Sequence, residues 1–236
     1  MIRCYEDFLR ELRKAGFSLA GGSAKGIWSV VPFSWEEQPY ITDSPIRWHT
    51  EDPETDPWEW RMRVLSEGQD IAYAKLFFRV GGYITKEWYP DFLAVRRGSM
   101  DFEDAWAEGS LSYSAKRVYE AARSVPRVLL PELKAMAAFG REENSAFEQA
   151  LTELQTRMFL TICGQRQRRN KYGEEYGWHC TEFCTVEQFW GEDLIRAAGE
   201  IDPAEAEARI TARVLELNPN AKKGTIKKFI RGYEKA

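Results

Sequence analysis

Met158-Phe159-Leu160-Thr161-Ile162-Cys163 and Trp178-His179-Cys180-Thr181-Glu182-Phe183 bracket the segment Gln165-Arg166-Gln167-Arg168-Arg169-Asn170-Lys171, and this stretch decides the fold. The two flanking runs are rich in β-branched and aromatic residues and read as paired strands. The segment between them puts four cations into seven residues with amides interleaved, the composition of an exposed hairpin. Three helices are expected upstream. Ser114 to Ala122 carries Val118, Tyr119 and Ala122 on one face, and Leu130-Pro131-Glu132-Leu133 opens a second helix that Gly140 ends. Asn144 or Ser145 is placed to cap a third helix, apolar at Phe147, Ala150, Leu151 and Leu154. Helix, helix, helix, strand, wing, strand is the order of a winged helix-turn-helix domain, predicted over residues 111–191.

Outward from this segment the pattern changes. Residues 1–110 read as an aromatic-rich α/β region. Tyr5, Phe8, Leu9 and Leu12 share the face of a first helix that Gly16 stops, and Ile27 to Val31 is a short strand candidate after the glycine-rich loop from Gly21 to Gly26. Asp56-Pro57 starts another helix through Leu65. Ile71 to Arg79 is β-prone and breaks at Gly81-Gly82, after which Thr85 to Trp88 caps a helix carrying Phe92 and Leu93. Asp101 to Glu108 forms a further short helix. Residues 192–236 read as a helical tail in which Asp202-Pro203 opens a helix to Leu217, Asn218-Pro219 breaks it, and Thr225 to Arg231 forms a basic helix. The fold class is α+β: a winged helix-turn-helix domain packed with an N-terminal aromatic-rich α/β region and a helical C-terminal tail.

Composition narrows the functional classes. At 236 residues with 44% apolar and 14% aromatic side chains, the chain has the material for a sizeable core. No run is long and apolar enough to span a membrane, and the N-terminus lacks the apolar core of a signal peptide, so a cytoplasmic location is expected. The net charge of −4 means that contact with nucleic acid must come from local basic patches rather than bulk charge. The four cysteines, Cys4, Cys163, Cys180 and Cys184, read as free thiols, Cys163 and Cys184 on partner strands. The cluster with His179 lacks zinc-finger or zinc-ribbon spacing. No glycine-rich phosphate loop, metalloprotease histidine pair or Ser-His-Asp order is present, so neither a cofactor nor a metal is expected.

Two further stretches carry a resemblance. Trp48-His49-Thr50-Glu51-Asp52-Pro53-Glu54-Thr55-Asp56-Pro57-Trp58 together with Tyr176-Gly177-Trp178 resembles bacterial proteins grouped as AlkZ-related, within the YcaQ/AlkZ-like winged-helix family. The resemblance spans most of residues 1–190. It implies DNA binding and, in the AlkZ branch, a glycosylase that excises alkylated or crosslinked bases. That branch carries a catalytic Gln-x-Gln in its first winged-helix module; here the motif Gln165-Arg166-Gln167 falls in the wing of the later module, and the catalytic role is not carried over.

Four groups of residues are therefore candidates. Arg166, Arg168, Arg169 and Lys171 in the wing either neutralise DNA phosphates or balance acidic neighbours such as Glu174 and Glu175. Lys227, Lys228 and Arg231, with Lys222, Lys223 and Lys235, make the last helix basic; it either clamps nucleic acid or is simply solvated. His49 and Asp52 are candidates for activating water against a flipped base stacked on Trp48 or Trp58, the alternative being that the acids form turns and caps and the indoles anchor a loop. The third helix carries Glu142, Glu143, Glu148 and Glu153 beside Asn144, Ser145 and Gln149, and carboxylates are repelled by a phosphate-lined groove. Three functions follow: a DNA-binding protein, duplex or damaged DNA being the partner; a DNA glycosylase; or a winged helix used for protein association, including with a second copy of itself.

Overall fold

The computed structural model describes residues 2–22, 26–68 and 70–232. Lys235 of the basic tail and Ser23, Ala24 and Lys25 of the glycine-rich loop lie outside the described residues. The first helix, α1 (Tyr5–Ala15), buries Tyr5, Phe8, Leu12 and Ala15 as one stripe and stops at Gly16, which takes φ +93°. A Cβ there would fall 2.2 Å from the Trp88 ring, so only glycine fits. Next come β1 (Phe17–Leu19) and a long loop with a 3-10 turn at Gln38–Tyr40, leading to α2 (Pro57–Glu67). Asp56 caps α2 by accepting from the Trp58 amide, and Pro57 takes the first helical position, where its missing N–H costs nothing.

β2 (Ile71–Phe77), β3 (Val80–Thr85), α3 (Tyr89–Arg97) and α4 (Phe102–Ala107) complete the first half. The second half runs α5 (Tyr113–Arg123), β4 (Val128–Leu129), α6 (Leu130–Met136), α7 (Asn144–Thr156), β5 (Leu160–Arg169), β6 (Glu175–Thr185) and α8 (Val186–Trp190). α9 (Glu192–Gly199), α10 (Pro203–Leu217) and α11 (Lys223–Arg231) follow. The fold is mixed α+β around one six-stranded antiparallel sheet ordered β1-β3-β2-β5-β6-β4. The halves meet where Tyr73 of β2 pairs with Ile162 of β5. No described helix is long and apolar enough to cross a membrane.

Several local expectations are corrected. The β2–β3 turn is Phe78-Arg79, both with positive φ, and not Gly81-Gly82. The two glycines sit inside β3 because the Tyr73 and Phe77 rings lie against them, leaving 2.6 Å or less for a Cβ. The strand expected over Ile27 to Val31 reduces to a single bridge between Leu19 and Ser29. Thr85 does not cap α3, and the cap position of α7 is Glu143, with Asn144 already helical.

Three apolar clusters make up the core. One gathers α1 and α2 around Tyr5, Phe8, Trp60 and Tyr83. A second sits among α4, α5, α7 and the β5–β6 pair, with Phe102, Tyr119, Phe147, Leu154, Phe159 and Phe183. The third holds Phe17, Phe77 and Phe92 together with Ile210, Val214, Ile226, Phe229 and Ile230, so the last two helices are built into the core of the first half. Phe229 stacks on Phe77 with ring centroids 4.0 Å apart.

Two buried arginines at the end of α3 hold these parts together. Arg96 donates through Nε to Ile230 O (2.8 Å), through Nη1 to Leu76 O (2.8 Å) and Thr156 O (2.9 Å), and through Nη2 to Phe229 O (3.2 Å). These carbonyls end β2, α7 and α11, and the helix ends carry the negative end of the dipole, which favours a cation. Arg97 donates to Met158 O (3.2 Å) and pairs with Glu187 of α8 (2.8 Å), its guanidinium over the Phe159 ring. We expect Arg96→Met to lower stability by about 3 kcal/mol or more, because several buried carbonyls lose their donor at once. Arg96→Lys should recover only part, since an ammonium cannot fork among four acceptors. Urea unfolding of both variants checks this; a loss below ~1 kcal/mol in Arg96→Met would contradict the assigned role.

Candidate nucleic-acid interface and adjoining cleft

The β5–β6 hairpin is longer than the sequence suggests. Strand pairing continues to Arg169↔Glu175, so Arg166, Gln167, Arg168 and Arg169 are strand residues and the turn is confined to Asn170–Glu174. Asn170 builds that turn: its Oδ1 accepts from Tyr172 N (2.8 Å) and Glu174 N (3.1 Å), and its own N–H donates to Glu174 O (2.9 Å). Register shifts fall between Ile162 and Gly164 and between Arg166 and Arg168, and local bulges of this kind raise twist. From Glu175 to His179 every residue of β6 is exposed. The ribbon therefore projects beyond the core with both faces wet.

Its cations are not equivalent. Arg166 pairs with Glu182 (2.6 Å) and reaches Glu132 (3.4 Å), and Arg169 pairs with Glu175 (3.1 Å). Arg168 and Lys171 make no ion pair among the described residues. Arg168 lies 5.2 Å from the Tyr176 ring centroid and Lys171 4.9 Å from that of Tyr172. Exposed rings follow the basic run in the turn and on β6: Tyr172, Tyr176 and Trp178 are 75%, 46% and 88% exposed. In sequence these rings follow the cations, and the strand pairing is what brings Arg168 opposite Tyr176.

The remaining candidates lie elsewhere. Lys227, Lys228 and Arg231 are on the outer face of α11, where Arg231 pairs with Glu207 (3.3 Å) while Ile226, Phe229 and Ile230 face inward. Arg96 bonds both Ile230 and Thr156, which places this helix beside the start of β5. The ten residues of β5 separate that end from the hairpin turn, about 30 Å at the strand rise. Wing and tail cations therefore do not form one patch.

In the acidic loop the carboxylates serve the backbone. Fully buried Asp56 accepts from Thr50 N (2.7 Å), Glu51 N (3.1 Å) and Trp58 N (2.8 Å). Asp52 accepts from Thr55 Oγ1 (2.6 Å) and Glu54 N (3.0 Å). Those two bonds, the Thr55 hydroxyl foremost, hold the Asp52 carboxyl below its usual range. No hydrogen bond joins it to His49 among the described residues. His49 sits at φ +61° with its ring 4.9 Å from Trp58, and the Arg61 guanidinium lies 3.3 Å over the same indole. Trp48 is half-buried against Gly21. The structure thus gathers His49, Trp58 and Trp48 in one aromatic group and directs Asp52 into a turn.

Between α2 and the base of the hairpin lies a cleft of about 770 Å³. Glu59 and Arg63 line one wall, Gln165, His179 and Glu182 the other, with Lys86 and Arg127 at its edge. Buried Cys163 and Cys184 lie at its base, where the hydrogen bond from Cys184 holds the Cys163 thiol below its usual value and pushes that of Cys184 up. Among the described residues no three His, Cys, Asp or Glu side chains are grouped to hold a metal ion.

The α7 carboxylates also divide. Glu153 accepts from Ser112 N (3.0 Å) and Oγ (2.6 Å), Glu143 pairs with Arg117 (2.9 Å) and exposed Glu148 lies 3.9 Å from Lys75, whereas exposed Glu142 makes no ion pair among the described residues.

A family model described as AlkZ related matches residues 2–231. The chain belongs to the AlkZ-related family. No curated protein and no solved structure matches this AlkZ-related chain.

Because Asp52 has a lower carboxyl pKa folded than unfolded, its contribution to the loop is present above the unfolded value, near 3.9, and is lost as pH falls through the folded value. Unfolding measured from pH 5 down to pH 2 (~2–5) should therefore fall less steeply with acid in Asp52→Asn than in the parent chain. An unchanged slope would contradict the depressed carboxyl.

Proposed function

We propose that this AlkZ-related chain binds DNA through a winged-helix arrangement in which the β5–β6 hairpin is the wing. The succession α5, β4, α6, α7, β5, β6, with β6 between β5 and β4 in the sheet, supports the winged-helix reading. The observation that carries the binding reading is the projecting hairpin with Arg168 and Lys171 free of ion pairs among the described residues. A cation already held at 2.6 Å by a carboxylate, as Arg166 is, must give up that partner to meet a phosphate. Arg168 and Lys171 give up nothing. Arg166 and Arg169 are secondary contacts, and the Lys227, Lys228 and Arg231 surface is a separate one, reached only by DNA running along the strands.

Membership of the AlkZ-related family supports a link to repair, which stays part of this reading. Excision through His49 and Asp52 has less support, because the hydrogen bonds that acidify Asp52 also weaken it as a base. The proposed activity is binding rather than cleavage.

Fluorescence anisotropy with labelled duplex and single-stranded DNA, titrated with salt, tests the wing. Replacing Arg168 and Lys171 by alanine removes two phosphate contacts, so the slope of log K against log salt should become shallower by about 1.8 on duplex and about 1.4 on single strands. An unchanged affinity and slope would show that the wing does not touch DNA.

A further inference from the structure

Among the described residues Trp178 is the most exposed of the large apolar side chains, at 88%, and Tyr172 and Tyr176 on the same ribbon are 75% and 46% exposed. A two-stranded ribbon outside the core has nothing on which to bury such rings. The apolar clusters end at its base: Phe183 and Ile162 pack into the core, and β6 is exposed throughout Glu175 to His179. Side-chain bonds to the main chain brace the backbone that carries the rings. The Gln167 amide donates to Gly177 O (2.8 Å), beside Trp178, and the Asn170 turn positions Tyr172. Two cations, Arg168 against Tyr176 and Lys171 against Tyr172, place positive charge beside two of the three rings.

We infer that Tyr172, Tyr176 and Trp178 form a stacking surface for unpaired bases, with Arg168 and Lys171 holding the neighbouring phosphates. This rests on the DNA-binding reading above and specifies its substrate as single-stranded or locally opened nucleic acid. Aromatic faces paired with cations suit a strand whose base faces are free, whereas in an intact duplex those faces are already stacked. The exposed carboxylate Glu142, just before α7, acts in the same direction, repelling the phosphates that line a major groove. Discrimination comes from an attraction on the wing and a repulsion at the helix.

The test compares a labelled oligo-dT strand and a blunt duplex of equal length, binding to the full chain, Trp178→Ala, Trp178→Phe and the double variant Arg168→Ala with Lys171→Ala. Because Trp178 is solvent-exposed, its variants should keep the parent circular dichroism spectrum. Trp178→Ala should weaken oligo-dT binding by about tenfold or more, with the salt slope unchanged, and duplex binding by no more than about twofold. Trp178→Phe should restore most of the loss, and the double alanine variant should instead change the slope. If Trp178→Ala leaves oligo-dT unaffected, or weakens duplex equally, stacking is wrong while DNA binding stands. If Trp178→Ala abolishes a self-association seen by sedimentation and leaves DNA binding alone, the surface belongs to a second copy and the inference falls. If the parent chain binds neither DNA, the binding reading fails and this one with it.

Discussion

Burial of the Arg96 guanidinium is the constraint on which the rest of the structure depends. A cation taken out of water must be surrounded by acceptors, and the chain supplies carbonyls from β2, α7 and α11. Residues more than a hundred positions apart are thereby held around one planar group. Arg97 extends the junction to α8 through Glu187 and to the Phe159 ring. The β2–β5 contact, a single pair at Tyr73 and Ile162, sits just beyond this polar knot.

That junction also sets where function can reside. It commits α11 to the core, leaving its lysines on a surface about 30 Å from the hairpin turn. The other end of β5 carries no such burden and runs free as the hairpin. Between the hairpin base and α2 the sheet leaves the cleft lined by Cys163 and Cys184. Charge on the hairpin is then filtered by local pairing, which satisfies Arg166 and Arg169 and leaves Arg168 and Lys171 without an ion pair among the described residues.

Much of this was legible in the sequence where the deciding physics is local. Asp56-Pro57, Asp101 and Asp202-Pro203 announce helix starts because capping needs only neighbouring amides, and each cap is present. The alternating runs on either side of the basic segment placed β5 and β6. What was not legible depends on distant partners. Gly81-Gly82 looked like a turn, but the Tyr73 and Phe77 rings across the hairpin claim that space and push the turn to Phe78-Arg79. The burial of Arg96 and Arg97 has no sequence signal, because nothing nearby in the chain hints at acceptors from β2, α7 and α11. At the candidate site, the cations were found and their partners were not, so four wing charges appeared equal. In the acidic loop Asp52 read as chemistry or as a turn former, and the partners that the sequence did not name are Thr55 for Asp52 and the Thr50 and Trp58 amides for Asp56.

The account stands or falls on where nucleic acid meets the protein. Hydrogen–deuterium exchange of the full chain, with and without a saturating single-stranded oligonucleotide, locates that surface without altering a residue. Protection confined to the hairpin from Gln165 to Cys180, with α7 and the Trp48–Asp56 loop unchanged, is the predicted result. Protection of α7 or of that loop while the hairpin exchanges as before would contradict it.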